Sequence, residues 1–325
     1  MGSDSTKGQE SLLHSARVVV EDCLGVKEAE QVLILVDEKS RRIGQAFFDA
    51  AVRIKAEAVL IEFIERALNG SEPPRAVAEA MKHADAIIAP TTKSVSHTAA
   101  TREARLAGAR IASMPGVTED VMARTMGADY YKIRERTLKF QKIFNEGNEV
   151  RLKSPAGTDM IFFIAGRQGS ADAGFIRERS SRGNLPAGES CISPLEGKTQ
   201  GIAVVDASMA GVGILKQPIK LVVKDGHVTE ISGGEEARVL DALLSEKGRE
   251  ARNIAELGIG TNDRATVSGN ILEDEKVMGT VHIGLGTSSN IGGLVSASLH
   301  LDGVITRPTL IVDGRVIIKD GQHLV

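Results

Sequence analysis

His300 and Asp302 stand two residues apart in Leu299-His300-Leu301-Asp302-Gly303. In an extended strand such residues share a face. A neutral imidazole beside a carboxylate is a common pair for a divalent metal ion. The nearby stretch Val281-His282-Ile283-Gly284-Leu285-Gly286 supplies a second histidine, and its glycines let other chain segments approach closely. A lone histidine in a strand is ordinarily a buried group bonded to a backbone carbonyl. A second strand histidine close to His-x-Asp shifts the expectation toward metal ligation. Glu256 lies in Ile254-Ala255-Glu256-Leu257-Gly258-Ile259-Gly260, where an ionised carboxylate is costly unless paired or metal-bound. Glu189 follows Asn184-Leu185-Pro186-Ala187-Gly188, a loop whose Pro and Gly fix its path. Taken singly, both glutamates remain open to a structural role.

The elements that must position these groups come in two rhythms. From Ser11 to about Gly127, apolar runs alternate with helical patterns: Val32–Val36, then Arg41–Lys55, Ala58–Phe63, Pro74–Lys82, Ala86–Ala89, Ala99–Ala107 and Arg110–Met114. Continuous apolar runs separated by amphipathic helices predict parallel strands with crossover connections. A Rossmann-like, doubly wound α/β domain is expected over residues 11–128. Its first turn, Asp37-Glu38-Lys39-Ser40, puts acids where a dinucleotide's pyrophosphate would sit, so no such cofactor is expected. Tyr130–Phe144 predicts a connecting helix within residues 129–145. Beyond it, alternation in Glu149–Lys153 and Ile219–Val223 predicts strands. Turn signals recur at Pro155-Ala156-Gly157, Lys224-Asp225-Gly226, Val312-Asp313-Gly314 and Lys319-Asp320-Gly321. One clear helix is expected, Glu235–Lys247. The fold class is thus an N-terminal parallel-sheet α/β domain followed by an α+β, strand-rich metal-binding domain over residues 146–325. His14, His83 and His97 lie on the other side of the boundary without carboxylates at ligand spacing, so the second half is expected to bind the metal.

Composition narrows the function classes. A formal charge of −3 gives a phosphate backbone no general electrostatic support. With 3% aromatics and no Trp, stacking platforms for single-stranded nucleic acid are lacking, so no nucleic-acid partner is expected. Cys23 and Cys191 form neither a disulfide framework nor a cysteine zinc site, which fits a reducing, cytoplasmic setting. Residues 1–10 are polar, and no apolar run approaches ~20 residues, so neither a secretion signal nor a membrane partner is expected.

Asn-Leu-Pro-x-Gly-Glu, Ala-Glu-Leu-Gly-Ile-Gly, His-Ile-Gly-Leu-Gly and His-Leu-Asp-Gly, in that order, resemble the aminopeptidase T family of metallopeptidases. Val20–Lys27 is similar to that family's opening helix. The resemblance is scattered through most of the chain and is most specific in the order of ligand types. It implies two divalent ions (zinc, cobalt or manganese): one on Glu189, Glu256 and His282, the other on Glu256, His300 and Asp302, with Glu256 bridging. The function it implies is removal of N-terminal residues from peptides by a metal-activated water, in a cytoplasmic homodimer. The chain departs from the family in three ways. Ser289 stands where the family has a Tyr that stabilises the oxyanion, the interval between the two ligand histidines is shorter, and the chain is smaller.

Without that Tyr, oxyanion stabilisation is expected from a metal, Ser289 or Lys276. Asp274 and Glu275 are candidates for the general base, with surface-turn charges as the competing reading. A second resemblance is to dihydroxypyridine ring-cleaving dioxygenases, which share the scaffold. That resemblance implies a single iron held by two histidines and one aspartate, with positions left open for substrate and oxygen.

Overall fold

The computed structural model describes residues 2–325, with side chains from Glu10 onward. The chain divides into two compact units: Met1–Tyr131 with Gly174–Ala187, and Lys132–Ala173 with Gly188–Val325.

In the first unit, the four expected apolar runs become β1 (Gln31–Val36), β2 (Glu57–Glu62), β3 (Ala86–Ala89) and β4 (Arg110–Ser113). Each boundary falls within one residue of the run. A short strand from the returning segment, Arg182–Asn184, completes a parallel sheet in the order β2-β1-β3-β4-Arg182–Asn184. Parallel neighbours require crossovers, and helices α2 (Arg41–Arg53), α3 (Arg75–Met81) and α4 (Ala99–Ala107) supply them, following α1 (Gly2–Arg17). Leu33, Ile87 and Ile111 pack with Val77, Met81 and Ala104 in one apolar cluster. The order reverses between β1 and β3, the place where open α/β sheets ordinarily bind ligands. Here Asp37 accepts hydrogen bonds from the Thr92 amide at 2.5 Å and the Thr92 hydroxyl at 2.9 Å, so a protein group already fills that point. Helices α5 (Glu119–Thr125) and α6 (Tyr130–Glu146) follow, and the boundary between the units falls within α6.

The second unit is almost all antiparallel strand. Its strands are β5 (Glu149–Lys153), β6 (Asp159–Phe163), β7 (Ser170–Asp172), then, past β8 (the Arg182–Asn184 strand already placed), β9 (Glu189–Ile192), β10 (Gln200–Val205), β11 (Ser208–Met209), β12 (Gly213–Ile214), β13 (Ile219–Lys224) and β14 (His227–Ser232). After α7 (Glu235–Ser245) come β15 (Ile254–Gly260), α8 (Ile271–Asp274), β16 (Thr280–Gly286), β17 (His300–Thr306), β18 (Thr309–Val312), β19 (Arg315–Lys319) and β20 (Gln322–His323). One sheet runs β14-β13-β10-β6-β5-β18-β19-β20, the other β12-β11-β17-β16-β15-β9-β7. The three Asp-Gly turns are two-residue hairpin loops, joining β13 to β14, β18 to β19 and β19 to β20. Both turn residues have positive φ in each, for example 49° at Asp225 and 73° at Gly226, the geometry for which Asp-Gly is favoured. Leu152, Phe162 and Leu221 of the first sheet share one core with Leu257, Ile283 and Ile305 of the second, closed by Leu240 and Leu244 of α7. Among the described residues, no helix is long and apolar enough to cross a membrane.

Candidate metal centre

Strand register brings the ligand types together. Glu256 on β15, Gly284 on β16 and Asp302 on β17 lie in one row across the sheet. In the neighbouring rows His282 pairs with Gly258, Gly286 with His300, and Gly260 with Glu189, which in turn pairs with Asp172. Alternation turns Leu257, Ile259, Val281, Ile283 and Ile305 to the apolar core and all the polar groups to the opposite face. The glycines between them make the room. A Cβ at Gly258 would lie 2.0 Å from His282 Nε2, and one at Gly284 would lie 2.8 Å from both His300 Nε2 and Glu256 Cβ. The imidazoles therefore lie over glycine backbone, and any side chain there would displace them.

Two groups of ligand atoms result, each with its members within 4.8 Å of one another: Glu256, His300 and Asp302; and Glu189, Glu275 and His282. His300 donates from Nδ1 to the Thr287 carbonyl at 2.8 Å, which leaves Nε2 facing Glu256 Oε2 at 3.0 Å and Asp302 Oδ1 at 3.1 Å. His282 Nε2 lies 3.5 Å from Glu256 Oε1 and 3.4 Å from Glu189 Oε2. Glu256 thus stands between both imidazoles. Lys276 Nζ, 1% exposed, donates to Glu189 Oε1 at 2.6 Å and Glu275 Oε1 at 2.5 Å, with Asp172 Oδ2 at 3.9 Å. Among the described residues, Glu189 Oε2 and both ring nitrogens of His282 are buried without a hydrogen bond. Buried polar atoms are rarely left so, and a cation ligated there would satisfy Glu189 Oε2 and the Nε2 of His282 that faces it. The residues fit a metal ion.

In the metal-free protein the ligand groups shift one another's proton affinities. Burial opposes ionisation of Glu256, but His282 and His300 outweigh it and hold the carboxyl well below its usual range. Burial likewise opposes the charged form of His282; Glu256, Glu189 and Asp302 overcome it and raise the imidazole to about 9. His300, buried beside Asp302 and Glu256, rises to about 12. Burial pushes Glu275 up to about 8. Lys276, despite burial, is held well above its ordinary range by Glu189, Glu275 and Asp172. These shifts reflect a face rich in carboxylates that calls for positive charge.

Every expected ligand lies on this face: Glu189, Glu256, His282, His300 and Asp302. Glu275 and Lys276 join it just after α8, Lys276 buried and Glu275 half-buried. Asp274 does not. Its carboxylate accepts from the amides of Ser268 and Gly269 and so anchors the loop before α8. Ser289 lies on an exposed turn, its hydroxyl 3.2 Å from Thr287 Oγ1, outside both groups. Sequence reasoning passed over two neighbours. Cys191 sits opposite Gly258 with its thiol pushed up by burial, Glu256 and Glu189. Asp172 ends β7 beside Lys276. Only cross-strand register reveals either.

The structure of 2,5-dihydroxypyridine dioxygenase from Pseudomonas putida KT2440 superimposes with a TM-score of 0.82 at 20% identity, covering 98% of each chain. Wild-type AmpT from Thermus thermophilus superimposes with a TM-score of 0.73 at 16% identity, covering 97% of this chain and 99% of that one. At such identities the likeness shows a shared fold. No curated protein sequence matches. The family model of 2,5-dihydroxypyridine 5,6-dioxygenase (NicX) matches residues 11–325. That match overturns the expectation of an aminopeptidase-type hydrolase acting in proteolysis. The order of Glu, His and Asp ligands misled because it follows from the scaffold's strand register, and a register does not specify a reaction. From residue 11 to its last residue the chain belongs to the 2,5-dihydroxypyridine 5,6-dioxygenase family.

Proposed function

We propose that this protein is an iron-dependent dioxygenase that opens the ring of a small hydroxylated pyridine, with one iron held by His282, His300 and Asp302. The observation that carries the reading is that two histidines and an aspartate share one face of a chain whose family match runs over residues 11–325. In the reaction named by the family, both atoms of O2 enter across the bond between ring carbons 5 and 6, and that bond breaks. Iron held by these two imidazoles and one carboxylate would supply the redox chemistry that O2 activation requires. The chain's own residues do the rest. Glu256 orients both imidazoles from between them. The Thr287 carbonyl fixes the His300 tautomer through Nδ1. Glu275, raised to about 8, is the group able to take or give a proton near neutral pH. β15 and β16, buried along their length, limit water at the ligands.

The test is oxygen uptake by iron-loaded protein given 2,5-dihydroxypyridine. One O2 consumed per ring lost, abolished in His300→Ala, is the expected result. Intact ring and no uptake with iron bound would overturn the proposal.

A further inference from the structure

The second ligand group presents a puzzle of charge. Glu189, Glu275 and His282 offer one ligand atom each within 4.8 Å of one another, which is the spacing of a cation site. Yet the oxygens Glu189 Oε1 and Glu275 Oε1 already hold the ammonium of Lys276, at 2.6 and 2.5 Å. Asp172 backs it at 3.9 Å. Lys276 is 1% exposed, so this ammonium has left water entirely and sits where its carboxylates put it. A second, independent observation points into the same spot. Glu189 Oε2, the carboxylate's other oxygen, is buried and lacks a hydrogen bond among the described residues.

Resting on the single-iron reading above, we infer that Lys276 is the resident cation of a second, built-in cation site, and that its ammonium holds the centre to one metal ion. Glu189, Glu256, Glu275 and Asp302 are four carboxylates crowded on one buried face. The ammonium offsets part of the negative charge of this face, and in its absence a second divalent ion offsets it instead. The ammonium is a point charge with three donors and can satisfy several carboxylates at once. It also cannot ligate a metal while protonated, so it excludes a second ion by occupancy and by repulsion. The latent site is then built on Glu189 and Glu275, the two carboxylates that the ammonium occupies, and it takes a divalent ion, for which carboxylate donors are suited.

The experiment is equilibrium dialysis of the full chain against Co2+, with metal per folded chain measured by elemental analysis. Wild type saturates at one ion. Lys276→Gln saturates at two, and its melting temperature climbs with Co2+ concentration, because the added ion replaces the lost charge. Adding Glu189→Gln to Lys276→Gln returns the count to one. A folded Lys276→Gln that stops at one ion, or a wild type that takes two, overturns the inference. If Lys276→Gln does not fold, Glu275→Gln on the wild-type background decides instead. It keeps one ion if Lys276 is the cation there, and loss of the ion shows that Glu275 holds the metal itself. A wild type that binds no Co2+ or iron is a different failure, that of the single-metal reading. It leaves Lys276 with nothing to regulate and overturns both.

Discussion

Strands β3 and β16 are both buried along their whole length, yet they are buried on different terms. β3 reads Ala-Ile-Ile-Ala and packs apolar side chains, so its burial is self-justifying. β16 reads Thr-Val-His-Ile-Gly-Leu-Gly, with an apolar face to the core and a face of histidine and glycine. On that same face, in the flanking strands, stand Glu256 and Asp302. Apolar burial contributes roughly 25 cal/mol per Å² wherever it occurs. Buried ionisable groups cost several kcal/mol each unless their charges are matched. A strand in which glycine alternates with ionisable residues is therefore stable only as part of a charge-balanced site.

Placing the same chemical group in both sheets is the sharpest way to test that contrast. Ile87→Glu on β3 would bury a carboxylate with no counter-charge. The cost of several kcal/mol is comparable with the ~5–15 kcal/mol that holds a domain together. We expect loss of folded protein, measured by circular dichroism of the soluble fraction; a native melt would break the comparison. Glu256, a carboxylate buried among imidazoles, should behave in the opposite way. Glu256→Gln should leave the fold intact while metal affinity or oxygen uptake falls ~10–100-fold, read by metal titration and an oxygen electrode. Unchanged affinity and uptake would remove Glu256 from the centre.

Packing gives a third handle. Gly258→Ala directs a Cβ to within 2.0 Å of His282 Nε2, and overpacking of this kind costs ~1–3 kcal/mol. The expected outcome is a modestly lower melting temperature with disproportionate loss of metal. Equal retention of metal and stability would show that His282 does not lie over that glycine.

Proton linkage should be visible in metal-free protein. The His282 imidazole is raised from 6.5 to about 9 in the fold, so its contribution is complete below pH 6.5 and disappears as pH rises through about 9. The loss amounts to at most about 3 kcal/mol. Over the same window the metal competes with fewer protons, so affinity should rise while metal-free stability falls. Denaturant melts and metal titrations between pH 6 and 9.5 check both, and parallel trends would contradict the assignment. The smallest effect belongs to Ser289→Ala. An exposed hydroxyl bonded to Thr287 should change stability by less than about 0.5 kcal/mol and leave oxygen uptake alone.

What could be read from the chain itself follows the same division. β1 to β4 announce themselves because continuous apolar runs have few other uses, and the Asp-Gly turns because two adjacent positive φ angles suit few other pairs. His300 and Asp302 are legible from their two-residue spacing, a property local to one strand. Lys276 and Glu275 look like turn charges in Glu273-Asp274-Glu275-Lys276, since nothing local says that α8 ends by turning them inward. The role of Gly284 between Glu256 and Asp302 is invisible without the pairing of three strands. The strand Arg182–Asn184 carries no apolar signal, so residues 174–187 give no hint that they return to the first unit.

That return has a consequence for how the protein is made. Between Ser113 at the end of β4 and Arg182 at the start of its neighbour, the ribosome must add the connecting helix and three strands of the other unit. At roughly 5–20 residues per second this takes on the order of 3–14 s, whereas helices and hairpins form within microseconds. For those seconds the nascent first sheet carries β4 as a bare edge, with amides and carbonyls open to any passing strand. Birth of the protein therefore includes a timed vulnerability: a pause in translation before Arg182 prolongs it, and a chaperone able to cover an unpaired strand shortens the risk.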